Sequence, residues 1–428
     1  MLNKMKKGFY TIILAQFFSS LADNALLIVA ISVLVEMLAP TWMSPLLKLF
    51  FTISYVLLAP FVGPFADSIE KGKVMFTTNG IKIFGCILFF FHVHPLIAYT
   101  VVGLGAASYA PAKYGILTEL LPPEELVFAN SWLESTTVVS ILLGTLLGGF
   151  LISNIFSTFF MSLPVAAIFK ISNSSEAALI VIVSIYMLAS LFNLFIPRTN
   201  AKYAVLPKNP VFLAKRFLAS NRILWGDKVG QISLAVTTLF WGAGATLQFI
   251  ILLWAQEHLN MTLDRAAMLQ GIVAVGIIIG SIVAGKLVSL QNSIKVLPLG
   301  IFMGIVVPMI TLTTTLSVAS VLLIIVGMLA GLFVVPMNAL LQHRGYVTLT
   351  AGQSIAVQNF NENLNVLLML GIYATLLYLD ISINVIISLF GVFVAVTMSA
   401  VTIKCIQNKK KVNFGTLIGD KRQAIRQK

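Results

Sequence analysis

Apolar residues in this chain come in long blocks, with polar positions collected into short interruptions. A helix needs about 20 apolar residues to cross a hydrocarbon core. Twelve segments satisfy that length: roughly 9–35, 46–66, 74–93, 96–117, 128–150, 177–196, 230–256, 267–287, 297–315, 319–341, 352–377 and 382–403. The pattern predicts an all-α polytopic membrane protein. The apolar stretch 152–170 contains Pro164 and has short flanks. It reads as a reentrant or surface segment, or as a continuation of span five, rather than a thirteenth span.

The longest polar connection, about 197–229, falls near the middle of the chain. The expected organisation is a first six-helix half over 1–197, a linker over 198–229, a second half over 230–403 and a basic tail over 404–428. Within the linker, PVFLAKRFLASNRILWG mixes apolar residues with Lys215, Arg216 and Arg222. It fits a helix on the membrane surface and equally an ordinary linker. The halves also echo one another. Pro111 and Pro336 sit near the same end of spans four and ten, followed 23 and 26 residues later by Glu134 and Glu362. Parallel repeats of this kind occur in transporters.

Composition agrees with lipid as the solvent. The 428 residues are 58% hydrophobic and only 10% charged, against about 25% charged in soluble domains. The mean hydropathy is +0.97. Of 28 Lys and Arg, 23 fall on one side of the twelve-span arrangement, from Lys4 and Lys71 to Lys404 and the tail. Positive charge stays in the cytoplasm, so both termini are expected there. That sorting accounts for the net charge of +13 without nucleic acid. The two cysteines offer no disulfide framework, and the four histidines lack metal-ligand spacing. No HExxH, GxSxG or phosphate-loop pattern suggests an enzyme.

Charges inside spans are expensive and point to function. Asp23, beside Asn24, lies well inside span one. It must face a cavity or a partner, either Lys82 in span three or Lys113 in span four. A transport pathway and a packing clamp both remain open for it. Glu134, in span five, has a better claim to a cavity than Glu119, Glu124 and Glu125, which read as solvated or gating charges. Gln248 is the polar intrusion in span seven. Spacings of three and four place Gln358, Asn361, Glu362 and Asn365 on one broad helix face, as a pathway lining or a hydrogen-bonded seam. In the loop GPFADSIEKGK, Asp67 is placed to clamp a helix end, and Gly72 suits a tight turn.

That loop resembles the signature between spans two and three of the major facilitator superfamily. Gly63 and Asp67 match, while Lys71, Gly72 and Lys73 supply the basic turn with one extra residue. The segments AQFFSSLADNALL, GLGAASYAPAKYGILTEL, LFWGAGATLQF, GLFVVPMNALLQHRG and GQSIAVQNFNENLNVLLMLGIY resemble the bacterial lysophospholipid transporters of that superfamily across nearly all of 9–403. The resemblance implies the major facilitator fold. It implies movement of lysophospholipids, notably lysophosphatidylethanolamine, across the inner membrane to the cytoplasmic leaflet. An acyltransferase–acyl-carrier-protein synthetase there rebuilds the diacyl lipid. No cofactor and no ATP are implied, and the transport unit is expected to be a monomer within membrane lipid.

By the same resemblance Asp23 belongs to the pathway, Lys113 and Glu134 to its cavity or gate, Asp67 to the inner clamp, and Glu362 to the second half; Asn24, Lys82, Gln248 and Gln358 are read beside them as pathway or gating residues. The family carries Arg where this chain has Gln248, and its stretch 152–170 is shorter. Lys82 or Lys113 would then supply the positive charge for a phosphate, which Arg otherwise binds in a bidentate fork. An exporter of amphipathic small molecules is the alternative, and a non-transporting membrane scaffold a weaker one.

The topology is testable by labelling. Cysteines introduced near His92 and Asp380 are expected to react with an impermeant reagent added outside cells. Those near Lys7 and Lys421 are expected to be protected, and labelling at 421 from outside would refute the twelve-span arrangement.

Overall fold

The computed structural model describes the chain apart from residues 1–6, 41–42, 165–170, 172, 200, 202, 204, 208, 262 and 420–428. Lys4, Lys6, Lys170, Lys202, Lys208, the far end of the 152–170 stretch and the last basic residues lie outside the described residues. The described residues contain helices and no strand. The first six elements are α1 (Lys7–Glu36), α2 (Met43–Ala66), α3 (Lys71–Phe90), α4 (Pro95–Leu120), α5 (Leu126–Leu151) and the short α6 (Asn154–Met161). Next come α7 (Ser174–Leu194), α8 (Pro210–Gly226), α9 (Gly230–His258) and α10 (Leu263–Leu287). The chain continues through α11 (Leu297–Met309), α12 (Leu316–Thr348), α13 (Ala351–Tyr378), α14 (Ile383–Lys411) and α15 (Phe414–Ile418).

Among the described residues, 11 helical segments are long and apolar enough to cross a membrane. Helix α4 is the remaining expected span. It has 26 residues, a sufficient length, but Lys113, Glu119 and three tyrosines dilute its apolar character. Its small residues Gly103, Gly105, Ala106, Ala107 and Ala110 are buried against neighbours. An interior helix needs less apolar surface than one facing lipid, which explains the lower hydropathy. The chain is a multi-pass membrane protein.

Two compact units emerge. The first comprises Met1–Leu120 and Val139–Ala214, the second Leu121–Val138 and Lys215–Lys428. Helix α5 thus contributes its beginning to the second unit and its remainder to the first. In the first unit α3 and α4 pack closely, as do α2 with α4 and α1 with α7. Two apolar clusters form there. One gathers Leu26, Phe89, Val102 and Tyr186; the other gathers Ile12, Val74, Met75 and Ile116. Along α1 and α3 the buried polar residues Ser19, Asn79 and Lys82 come between them in sequence.

In the second unit α10 and α12 make the closest approach, through paired small-residue motifs. Gly276 and Gly280 of α10 face Gly327 and Gly331 of α12. A Cβ on Gly280 would lie 2.1 Å from the Met328 carbonyl oxygen, and one on Gly327 would lie 2.2 Å from that of Val273. Backbone contact of this kind supplies the dispersion energy that apolar area alone cannot supply in lipid.

One local expectation changes. Gly72 does not sit in a turn. Lys71–Lys73 form the first turn of α3, and a Cβ on Gly72 would stand 3.0 Å from the Asn193 carbonyl oxygen, so glycine there permits α3 to touch the end of α7. The linker segment 210–226 is a helix, α8, and it is hydrogen-bonded to α13. Asn361 Nδ2 donates to Asn221 Oδ1 at 2.9 Å, and Trp225 Nε1 donates to Asn361 Oδ1 at 3.2 Å.

The glycine contact yields a prediction. Gly280→Leu and Gly327→Leu, measured by thermal melting in detergent, are each expected to destabilise the protein by about 1–3 kcal/mol through overpacking. A Gly149→Leu control, whose Cβ meets nothing within 4 Å, is expected to melt near the wild-type temperature.

Candidate functional site

Asp23 and Lys82 of the first unit meet mid-span between α1, α3 and α7. Lys82 Nζ donates to Asp23 Oδ2 at 2.8 Å and to Ser19 Oγ at 2.9 Å. Tyr186 OH donates to Asp23 Oδ1 at 2.6 Å. Ser19 Oγ passes the network on to Asn79 Oδ1 at 2.8 Å. Lys82 is nearly inaccessible, with 1% of its side chain exposed, while Asp23 retains 18%. The ammonium also stands over two rings, 4.9 Å from the Tyr109 centroid and 5.6 Å from that of Tyr186. Gly105 makes room for the lysine stem, since a Cβ there would lie 2.7 Å from Lys82 Cγ.

Of the two lysines open as partners for Asp23, the geometry selects Lys82. Lys113 Nζ lies 4.4 Å from the Tyr114 ring centroid instead. Asn24 turns back on its own helix, its Nδ2 donating to the Ser20 carbonyl at 2.8 Å, and its Cβ borders Gly144 of α5. Buried ion pairs cost desolvation, and their attraction repays it only with further hydrogen bonds in place. Ser19 and Tyr186 provide those bonds.

A second charged cluster ties together the ends of α2, α3 and α4. Lys71 Nζ donates to Asp67 Oδ1 at 2.9 Å and to the Ala66 carbonyl at 2.7 Å. It also lies 3.3 Å from Glu119 Oε1. Thr199 Oγ1 donates to Glu119 Oε2 at 2.7 Å. Asp67 thus ties the end of α2 to the start of α3 through Lys71. Of the two readings of Glu119, solvated or gating, burial removes the first: 5% of its side chain is exposed, because the buried Lys71 draws in a second carboxylate. Lys71, read from sequence as part of a basic turn, is the centre of this cluster.

In the second unit two carboxylates are joined through two amides. Asn338 Nδ2 donates to Glu134 Oε1 at 3.1 Å. Gln358 Nε2 donates to Asn338 Oδ1 at 3.0 Å and to Glu362 Oε1 at 2.7 Å. One turn from Glu134, Asn130 and Gln342 exchange two amide hydrogen bonds at 2.9 and 2.8 Å. The face proposed for α13 divides by direction. Gln358 and Glu362 join this chain, whereas Asn361 bonds α8 and Asn365 Nδ2 donates to the Thr238 carbonyl at 2.8 Å. Gln248 enters none of these networks. It is exposed, and its Nε2 donates to Gln270 Oε1 at 2.9 Å.

The sequence pattern does not single out Asn338, Gln342, Asn79 or Tyr186. The first two are four apart in an otherwise apolar run, a spacing that marks one helix face and could have flagged them. Nothing in the sequence separates Tyr186 from other interior tyrosines. Arg344 reads from sequence as a loop residue. It is buried, and its Nη2 lies 2.6 Å from Asp227 Oδ2 while its Nη1 donates to the Leu417 carbonyl at 2.6 Å.

A family model described as Major Facilitator Superfamily matches residues 12–364. The chain belongs to the Major Facilitator Superfamily. Among curated relatives, "Lysophospholipid transporter LplT" of Pectobacterium carotovorum subsp. carotovorum (strain PC1) is 41% identical over 382 residues, 89% of each chain. The protein of the same name from Yersinia enterocolitica serotype O:8 / biotype 1B is 40% identical over 379 residues, covering 88% of this chain and 89% of its own. Among solved structures, a single-site variant of the E. coli fucose:proton symporter FucP superposes with a TM-score of 0.69 at 13% identity, covering 95% of this chain and 99% of that one. The human organic anion transporter MFSD10 (TETRAN) gives a TM-score of 0.68 at 14% identity, covering 97% and 100%. The major facilitator fold follows, and the chain is a transporter-family protein rather than an enzyme.

The Asp23–Lys82 pair makes a stability prediction for this facilitator. Lys82→Met strands a carboxylate beside Tyr186 and is expected to cost about 3–5 kcal/mol. Adding Asp23→Asn is expected to recover most of that loss in detergent melting. A K82M protein as stable as wild type would show that the pair contributes nothing to the fold.

Proposed function

We propose that this facilitator is a lysophospholipid transporter. It moves lysophosphatidylethanolamine and related lysolipids across the bacterial inner membrane to the cytoplasmic leaflet, by alternating access and without ATP. The observation that carries this reading is identity near 40% over nearly nine-tenths of the chain to proteins named for that activity. The mid-span site is consistent with it. One carboxylate and one ammonium suit a headgroup carrying both charges, and the apolar helices around them suit a single acyl chain. Asp23 and Lys82 are the headgroup end of the pathway. Asp67 is the inner-end clamp. Glu134, Gln358 and Glu362 line the pathway of the second half, with Lys113 at the gate of the first. Gln248, paired with Gln270, does not provide the phosphate fork that an Arg would.

In this reading the chain is organised as two six-helix halves, 1–197 and 230–403, joined by 198–229. Both termini lie in the cytoplasm, and the product lipid passes to an acyltransferase–acyl-carrier-protein synthetase. A monomer suffices as the transport unit.

Purified protein in liposomes is expected to flip fluorescent lysophosphatidylethanolamine without nucleotide. Asp23→Asn is expected to lower the initial rate per folded protein at least about tenfold, equivalent to about 1.4 kcal/mol of barrier. A strict ATP requirement, or failure to move any lysolipid while exporting amphipathic drugs, would overturn the assignment.

A further inference from the structure

The segment after α5 carries chemistry that transport through the bundle does not use. Helix α6 has only 8 residues, about 12 Å at 1.5 Å each, and cannot cross a hydrocarbon core of ~30 Å. Ser153 caps it, its Oγ accepting from the Phe156 amide at 3.3 Å. Its residues separate into faces by spacings of four. Phe156 and Phe160 are buried in the first unit's apolar cluster, their rings 5.5 Å apart. Ile155 and Phe159 point outward, 78% and 62% exposed. Asn154, Thr158 and Ser162 form an exposed polar row beside them.

An exposed apolar pair next to a polar row needs a solvent with both characters. Helix α5 identifies it. Leu143, Leu146 and Phe150 form an exposed stripe on this membrane-crossing helix, and lipid is what such a stripe meets. Phe150 also packs on the buried face of α6, its ring 5.6 Å from that of Phe156, so α6 starts where this lipid-facing end of α5 stops. Between Ile152 and Phe169 there is no Asp, Glu, Lys or Arg. Attraction to anionic headgroups therefore plays no part, unlike the basic interfacial helices that depend on it.

We propose that α6 lies in the membrane plane as an interfacial anchor, with Ile155 and Phe159 among the acyl chains and Asn154, Thr158 and Ser162 at headgroup level. The partner surface is the leaflet away from the basic loops, which is the outer leaflet under the topology proposed above. The contact depends on apolar area and is indifferent to headgroup charge. Because α6 is locked to α7 through Phe156 and Phe160, it fixes this end of the first unit at the depth where lipid tails begin.

The test uses full-length protein in liposomes, with a small fluorophore on cysteines introduced as Ile155→Cys, Phe159→Cys, Asn154→Cys or Thr158→Cys. The native Cys86 and Cys405 are buried and serve as the unlabelled background. Brominated acyl chains are expected to quench the probes at 155 and 159 at least about threefold more than those at 154 and 158, with aqueous iodide giving the reverse order. The pattern is expected to be the same in neutral phosphatidylcholine and in vesicles enriched in phosphatidylglycerol. Equal quenching at all four sites would overturn the proposal. So would acyl quenching that appears only with anionic lipid, or disulfide crosslinking of Phe159→Cys between two copies. Transport is not the readout, so lysolipid flipping can fail while this result stands.

Discussion

A hydrocarbon core offers no water to a charged or hydrogen-bonding group, and the arrangement of this protein follows from that constraint. A charged side chain inside a span is costly unless a partner meets it. Lys82 illustrates the demand. Its ammonium is met by a carboxylate, a hydroxyl and two aromatic faces contributed by α1, α4 and α7. Meeting it fixes where those helices stand against α3, so the polar layer specifies an alignment that interchangeable apolar contacts would leave free.

The same constraint produces different chemistry in different places. Lys71 collects two carboxylates at the helix ends. Glu134 and Glu362 are instead joined through the amides of Asn338 and Gln358. A lysine between two carboxylates is a strong electrostatic clamp. Neutral amides hold carboxylates by weaker individual bonds and can exchange partners with smaller electrostatic loss.

Lipid also removes the usual driving force for helix association, because a leucine is as well solvated by tails as by another leucine. Close approach replaces it. Gly280 and Gly327 allow α10 and α12 to touch backbone to backbone, and Gly105 opens the slot that the Lys82 stem fills. Thus glycine serves both packing and site construction, by omitting a side chain where another group has to pass.

The hydrophobic pattern by itself determined the helical class, the approximate spans and the central polar connection, because crossing a bilayer imposes a length that can be counted along the chain. It also marked Asp23, Glu134 and Glu362 as requiring explanation, since an ionisable residue in an apolar run is conspicuous whatever surrounds it. Partner choice was not available from that information. Lys82 and Lys113 were equivalent candidates for Asp23 until helix rotation placed one beside the carboxylate and the other over Tyr114. Likewise Glu119 is legible in sequence only as a solvated or gating charge, whereas Lys71 stands between it and Asp67, and the single polar face of α13 becomes two because Asn361 and Gln358 address different neighbours. Span length is a local property of the sequence, whereas a hydrogen bond between residues 59 or 204 positions apart depends on how whole helices are rotated and packed, which tertiary structure alone decides.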